Sequence, residues 1–148
     1  MISSGDGKTR FLGLDVGGRR IGLAISDRNG SLATPYNALA RHGLERDIAA
    51  ILRLVQQEKV GTIVVGEPLS LDGTVGPQAK LTLAFCEALK AASPVPVYTW
   101  DERFSTMEAE SLLREAGVAP SRNRARLDAA AAAVILQGYL DAHCQPTT

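Results

Sequence analysis

The sequence predicts an α/β domain built on a mixed five-stranded sheet flanked by helices. Apolar runs of strand length and stripes at helical spacing fall in the order β-β-β-α-β-α-β-α-α. Asn29-Gly30 is a strong hairpin signal among the early strands. The two later strands are each reached through a helix, which makes them parallel to the first by right-handed crossovers.

Phe11-Leu12-Gly13-Leu14 is a short apolar strand, and Ile21 to Ser26 is a second. Asn29-Gly30 turns the chain into a weaker third strand from about Ala33 to Leu39, which completes a meander. Leu44, Ile48, Ile51, Leu52 and Val55 then recur at helical spacing. Thr62-Ile63-Val64-Val65-Gly66 is a buried strand. Leu81, Ala84, Phe85, Ala88 and Leu89 mark a second amphipathic helix that starts near Pro77, a residue suited to the first helical position because no partner awaits its missing N–H there. After Pro94 and Pro96, Val97-Tyr98-Thr99-Trp100 reads as the last strand. Ser105-Thr106-Met107-Glu108 is a capping box that opens a helix ending before Gly117. A basic loop follows from Pro120 to Arg126, and a final helix runs from about Leu127 to His143.

With 148 residues and 45% apolar content, residues 10–144 are expected to form one domain with a sizeable core. Residues 1–9 read as a disordered lead-in and 145–148 as a tail. The longest apolar stretch, Ala129 to Leu136, is too short to cross a bilayer, and the polar start has no apolar signal core, so a soluble cytoplasmic protein with no membrane partner is expected. Two cysteines, Cys86 and Cys144, are too few for a disulfide framework and read as reduced.

The formal net charge is zero, so no global field draws the protein to nucleic acid. Locally the balance differs. Arg19-Arg20 and Arg122, Arg124 and Arg126 cluster, and twelve of the sixteen basic residues are arginine, the better fork for phosphate. Base composition with solvated loops is the bland alternative.

Asp15, Glu67 and Asp101-Glu102 sit just past the carboxyl ends of the three parallel strands, the edge where open α/β sheets bind their ligands. Asp128 joins them only if the last helix brings it there on the face of Ala131, Ala132 and Ile135; otherwise it is a first-turn carboxylate facing the helix dipole. Two carboxylates about 4 Å apart repel by roughly 4 kcal/mol at an effective dielectric near 20, so a converging set needs protons, arginines or a cation. His42 and His143 have no zinc spacing with any cysteine, which leaves oxygen ligands and hence Mg²⁺ or Mn²⁺.

At this point a set of motifs stands out: Leu12 to Gly22 containing Asp15-Val16-Gly17-Gly18-Arg19-Arg20; Val65-Gly66-Glu67-Pro68-Leu69 with Asp72-Gly73-Thr74 and Gly76-Pro77; Trp100-Asp101-Glu102-Arg103; and Asp128 with Ile135-Leu136-Gln137. Together, in this order and over nearly the whole chain, they resemble the YqgF/RuvX family of Holliday-junction-resolvase-like nucleases. The resemblance implies a ribonuclease-H-like fold and divalent-metal hydrolysis of phosphodiesters. It also implies a role in trimming the precursor of 16S ribosomal RNA, with resolution of four-way DNA junctions as the alternative.

By position, the family's acidic residues fall on Asp15, Glu102 and Asp128, which the resemblance makes both the catalytic and the metal-binding set. A two-metal displacement follows, with Asp15 as the bridging ligand and Asp101 supporting it from behind. Glu67 departs from the family pattern and reads either as an added ligand or as the partner of an arginine. Gly17 and Gly18 would let a phosphate approach the backbone, with Arg19, Arg20, Arg122, Arg124 and Arg126 neutralising it. Arg103 is either a further phosphate contact or a partner for Asp101 or Glu67. Trp100 reads as strand packing or as a base-stacking platform.

Two other classes compete with the nuclease. Gly13 to Gly18 also resembles the first phosphate loop of actin-like and sugar-kinase ATPases, although the chain is too short for the second domain those sites need. A non-catalytic RNA-binding module is the third reading, disfavoured by the intact acidic set. The partner is nucleic acid, RNA or branched DNA, and the protein is a monomer or a homodimer.

Overall fold

The computed structural model describes residues 9–68, 74–102 and 124–143. Strands β1 (Arg10–Val16), β2 (Arg20–Ser26) and β3 (Ala33–Ala40) form the meander. Helix α1 (Leu44–Gln57) leads to β4 (Val60–Glu67), α2 (Pro77–Ala92) leads to β5 (Val97–Asp101), and α3 (Arg124–His143) is the last element. The sheet order is β3-β2-β1-β4-β5. β1 pairs antiparallel with β2 and parallel with β4, and β4 pairs parallel with β5. This is the mixed five-stranded sheet that the sequence predicts, flanked by helices on both faces. The helix predicted from the Ser105–Glu108 capping box lies outside the described residues.

Alternation along the strands splits the core into two layers. Leu12 and Leu14 of β1, Ile21 and Leu23 of β2, Ile63 and Val65 of β4 and Val97 of β5 pack with Ile48, Ile51 and Val55 of α1 and Phe85, Cys86 and Leu89 of α2. On the other face Phe11, Ala24, Val64 and Trp100 pack with Ala132, Ala133, Ile135, Leu136 and Leu140 of α3.

Helix α3 rests on bare backbone. A Cβ on Gly13 would lie 2.7 Å from the Cβ of Leu136, one on Gly22 would lie 2.0 Å from the carbonyl oxygen of Asp128, and one on Gly66 would lie 2.5 Å from Cδ1 of Ile135. Three adjacent strands thus each supply a glycine where the helix needs closeness. Gln137, buried in α3, locks the far end: its Oε1 accepts from the Ala33 N–H at 2.8 Å and its Nε2 donates to the Ser31 carbonyl at 2.9 Å. No helix among the described residues is long and apolar enough to cross a membrane.

Three expectations need correction. Helix α3 includes Arg124, so Arg124 and Arg126 belong to its first turn and not to a preceding loop. On α2 the buried stripe is Ala79, Thr82, Phe85, Cys86 and Leu89, whereas Leu81 is 66% exposed and Ala84 is exposed as well. Thr82 can take a buried place because its hydroxyl donates to the Gln78 carbonyl one turn back, at 3.0 Å. On α1, Leu44 is also exposed, while Asp47 is buried. Cys86 is a free, buried thiol, pushed up to about 11 by burial; Cys144 lies outside the described residues.

Candidate active site

The five carboxylates that the sequence places near one sheet edge sort onto two faces. Along β1 the core residues Leu12 and Leu14 face α1 and α2, so Gly13 and Asp15 face α3. On β5, Trp100 faces α3, where its ring meets Tyr139 edge-on at 6.0 Å; Glu102, two residues further, follows the same side. The Oε2 of Glu102 would be 3.1 Å from a Cβ on Gly66, a residue of the α3 face. Asp128 arrives on that face from the first turns of α3, its backbone seated on Gly22. Gly22 pairs directly with Asp15 across the β1–β2 ladder. Asp15, Glu102 and Asp128 are therefore brought to one face and one end of the sheet.

Glu67 and Asp101 pair with each other across the β4–β5 ladder and alternate to the opposite face. Glu67 lies close enough to α2 to raise the Cys86 thiol further. Among the described residues Glu67 forms no ion pair with an arginine.

Electrostatics tie the three α3-face carboxyls together. Burial raises Asp15 above the usual carboxylate range, and the charge of Asp128 raises it further. Glu102 is pushed up to about 7, first by burial and then by Asp15 and Asp101. Burial and a neighbouring like charge both disfavour an ionised carboxylate, so Asp15 and Glu102 rise together. Among the described residues no three carboxylate, histidine or cysteine side chains stand close enough to hold a metal ion as they are. The donor set nevertheless suits a hard divalent cation: it is all oxygen, carries excess negative charge and sits at the sheet's ligand edge.

Arg20 meets this set from β2. Its Nε donates to Oδ2 of Asp128. Gly17 and Gly18 form the β1–β2 turn just past Asp15; the Gly17 N–H donates to the Arg20 carbonyl at 2.9 Å, and Gly18 and Arg19 are exposed. Arg124 and Arg126 lie on the first turn of α3, Arg124 exposed and one turn from Asp128. Arg103 and Arg122 lie outside the described residues. Trp100 packs against Tyr139 and, at 5.5 Å, against His143, which is the packing role.

One contributor has no motif in the sequence. Arg41 donates through Nη1 to the Gly17 carbonyl at 2.8 Å and through Nε to the buried Asp47 at 2.7 Å, with its guanidinium over the Phe85 ring. It props the Gly17-Gly18 turn from behind. Burial alone would raise Asp47, but its bonds from Arg41 and from the His42 N–H hold it below its ordinary value.

Comparison with known proteins places the fold. Residues 9–142 match the model of a family described as RuvX, Holliday junction resolvase. A protein of Chloroflexus aurantiacus (strain ATCC 29366 / DSM 635 / J-10-fl) named "Putative pre-16S rRNA nuclease" is 47% identical over 132 residues, covering 89% of this chain and 86% of its own length. Proteins of the same name from Anaeromyxobacter sp. (strain Fw109-5) and Symbiobacterium thermophilum are each 49% identical, covering 89% and 90% of this chain and 96% and 92% of their own. Among solved structures, T. thermophilus RuvC in complex with a Holliday junction substrate superposes with a TM-score of 0.61 at 16% identity, covering 92% of this chain and 97% of that one. The Fowlpox virus resolvase bound to Holliday junction DNA gives a TM-score of 0.56 at 11% identity, covering 90% and 97%. These two structures share the ribonuclease-H-like fold of resolvases with this chain.

Proposed function

We propose, from the premise that this chain belongs to the RuvX Holliday junction resolvase family and is a nuclease, that its substrate is the precursor of 16S ribosomal RNA and that Asp15, Glu102 and Asp128 form the centre that cuts it. The observation that carries the assignment is the sorting of carboxylates by strand alternation: of five near the edge, these three share the α3 face, and Asp15 and Glu102 are both raised, first by burial and then by neighbouring carboxylates. Nucleases of this family work with divalent metal ions. Here Asp15, Glu102 and Asp128 would hold the ion, Mg²⁺ or Mn²⁺. Bound there, it would polarise the scissile phosphate, stabilise the charge that develops on it and make water a better nucleophile.

The chain's own residues do the positioning. Asp15 is fixed by its ladder pairing with Gly22, at the centre of the sheet and next to the turn where a phosphate can approach Gly18 without meeting a side chain. Arg19 and Arg20 flank that turn. Arg124 and Arg126, one turn or less from Asp128, are placed to neutralise flanking phosphates, joined in sequence by Arg103 and Arg122. Asp101 supports the site from the other face by its field on Glu102.

A trimming enzyme needs one such centre, whereas coordinated cutting of two opposed strands of a junction needs two related by a two-fold axis. Among the described residues the buried stripes of α1, α2 and α3 cover the sheet, and Leu44, Leu81 and Leu127 are the large apolar side chains these helices leave exposed; trimming by a single subunit is the reading adopted here. The test sets labelled ribosomal-RNA precursor, single-stranded RNA and a four-way junction side by side with Mn²⁺, Mg²⁺ or chelator. Single cuts in RNA that need the metal and disappear in Asp15→Asn are expected. Paired symmetric incisions in the junction by a stable dimer, with RNA left intact, would move the substrate assignment to branched DNA.

A further inference from the structure

The contact between Arg20 and Asp128 joins a residue of the phosphate-facing turn to a carboxylate of the proposed centre. It is built by the fold and not by two long side chains meeting in solvent. Arg20 opens β2 on the α3 face, two residues before Gly22, where the backbone of Asp128 rests. Both side chains expose less than a third of their surface, 28% and 30%. The bond uses Nε, and the guanidinium carries four more N–H donors on Nη1 and Nη2, enough to bind a phosphate without letting go of its neighbourhood. No three ligand-type side chains among the described residues stand together as a ready cage, and Arg20 sets a positive charge against Asp128, one of the three carboxylates.

We infer that Arg20 is the resident counter-ion of this centre and exchanges partners during the reaction: it neutralises Asp128 before the cation arrives, and moves to a substrate phosphate when a divalent cation takes Asp128. The inference rests on the reading of Asp15, Glu102 and Asp128 as the nuclease centre. One consequence is thermodynamic. Metal must displace Arg20, and phosphate rewards the displaced guanidinium, so each ligand raises the affinity for the other. The protein would then bind metal weakly alone and firmly with substrate, which restrains it from cutting without an RNA in place.

The experiment measures Mn²⁺ affinity by electron paramagnetic resonance for the wild type, Arg20→Gln, Arg20→Lys and Asp15→Asn, with and without a single-stranded phosphorothioate RNA that resists cleavage. A hydrogen bond to a charged group is removed in Arg20→Gln, so its Mn²⁺ affinity in the absence of RNA should rise roughly ten- to a hundredfold. The gain in Mn²⁺ affinity that RNA gives the wild type should shrink in that variant to the part that a direct contact between ion and phosphate supplies. Arg20→Lys keeps the charge without the fork and should fall between the two; it carries the test should Arg20→Gln fail to fold. Mn²⁺ affinity in both Arg20 variants equal to or weaker than wild type would overturn the exchange. Asp15→Asn separates the two readings: if it binds Mn²⁺ like the wild type, the centre itself is misassigned and the exchange falls with it.

Discussion

Glu102 gives the most direct physical test of the acidic centre, because its raised carboxyl makes the metal-free protein's stability depend on pH with a definite sign. Its carboxyl moves from an ordinary 4.5 to about 7 in the folded protein. The folded state therefore holds a proton that the unfolded chain releases, so stability is greatest below pH 4.5 and is lost as pH rises through 7. At about 1.36 kcal/mol per pH unit the gap caps the loss near ~3.4 kcal/mol. Glu102 is only partly buried, and water screening brings the expected loss down to about 1–2 kcal/mol. Glu102→Gln is neutral at every pH and should abolish this part of the slope, leaving the chelated variant more stable than chelated wild type by that amount at pH 8 and equal to it near pH 4.5. Urea unfolding at a series of pH values measures both. Adding Mn²⁺ should reverse the order, since the cation stabilises the protein that binds it and the variant lacks a ligand. Parallel curves for the two proteins from pH 4.5 to 8.5 would refute the argument that Glu102 sits among unneutralised carboxylates.

Further predictions test the scaffold and the substrate path. Asp15→Asn should leave the circular dichroism spectrum unchanged and abolish metal-dependent cleavage; wild-type turnover in Mn²⁺ would remove Asp15 from the centre. Gly22→Ala places a Cβ 2.0 Å from the Asp128 carbonyl oxygen, so α3 must shift, at about 1–3 kcal/mol or more, and cleavage should fall with stability; an unchanged urea midpoint contradicts the close seating. Arg41→Met leaves the buried Asp47 without its guanidinium and should cost about 1.5–3 kcal/mol at pH 7. Asp47 is held low in the native protein, so the stability it contributes is present above its ordinary 3.8 and lost as pH falls through the folded value; the gap between variant and wild type should narrow progressively as pH falls below 3.8, and a gap independent of pH is the contrary result. Replacing Arg122, Arg124 and Arg126 together by Ala should flatten the salt dependence of single-stranded RNA binding by about 0.7 in slope for each phosphate no longer neutralised; an unchanged slope returns them to plain solvated surface.

The strands and their order were legible because apolar runs and the helices between them fix neighbours and directions. The ends and faces were harder. Helix α3 starts by Arg124 although basic residues at a helix start oppose the macrodipole, and that opposition is why the sequence suggested Leu127. Leu81 looked like core because α2 carries apolar residues on more than one side, and Thr82 hid its suitability for burial in a hydroxyl that bonds its own helix. The acidic residues could be placed at one edge by their positions after strands. Which face each takes was not decidable from β4, whose Ile63, Val64 and Val65 are all buried, so its run shows no alternation. The Arg20–Asp128 pair spans 108 residues, and the Arg41–Asp47 brace has no spacing rule; neither leaves a local signature.

The glycines connect these points. Gly13, Gly22 and Gly66 read as motif glycines beside the acidic residues, yet their Cα positions are where α3 touches the sheet. Because side chains alternate with period two, slipping β2 by one residue against β1 would take Gly22 from the α3 face and put Ile21 or Leu23 under the helix backbone, a clash no rotamer relieves. The register that lets α3 seat is therefore the one that keeps Asp15 opposite Gly22 and on the α3 side. The same logic holds on β4 and β5, where Gly66 pairs with Trp100 and opens room for the Glu102 carboxylate beside Ile135. Packing and chemistry thus share one set of constraints: the residues that admit the helix are those that decide which carboxylates face each other. Asp128 is delivered to them by that same helix.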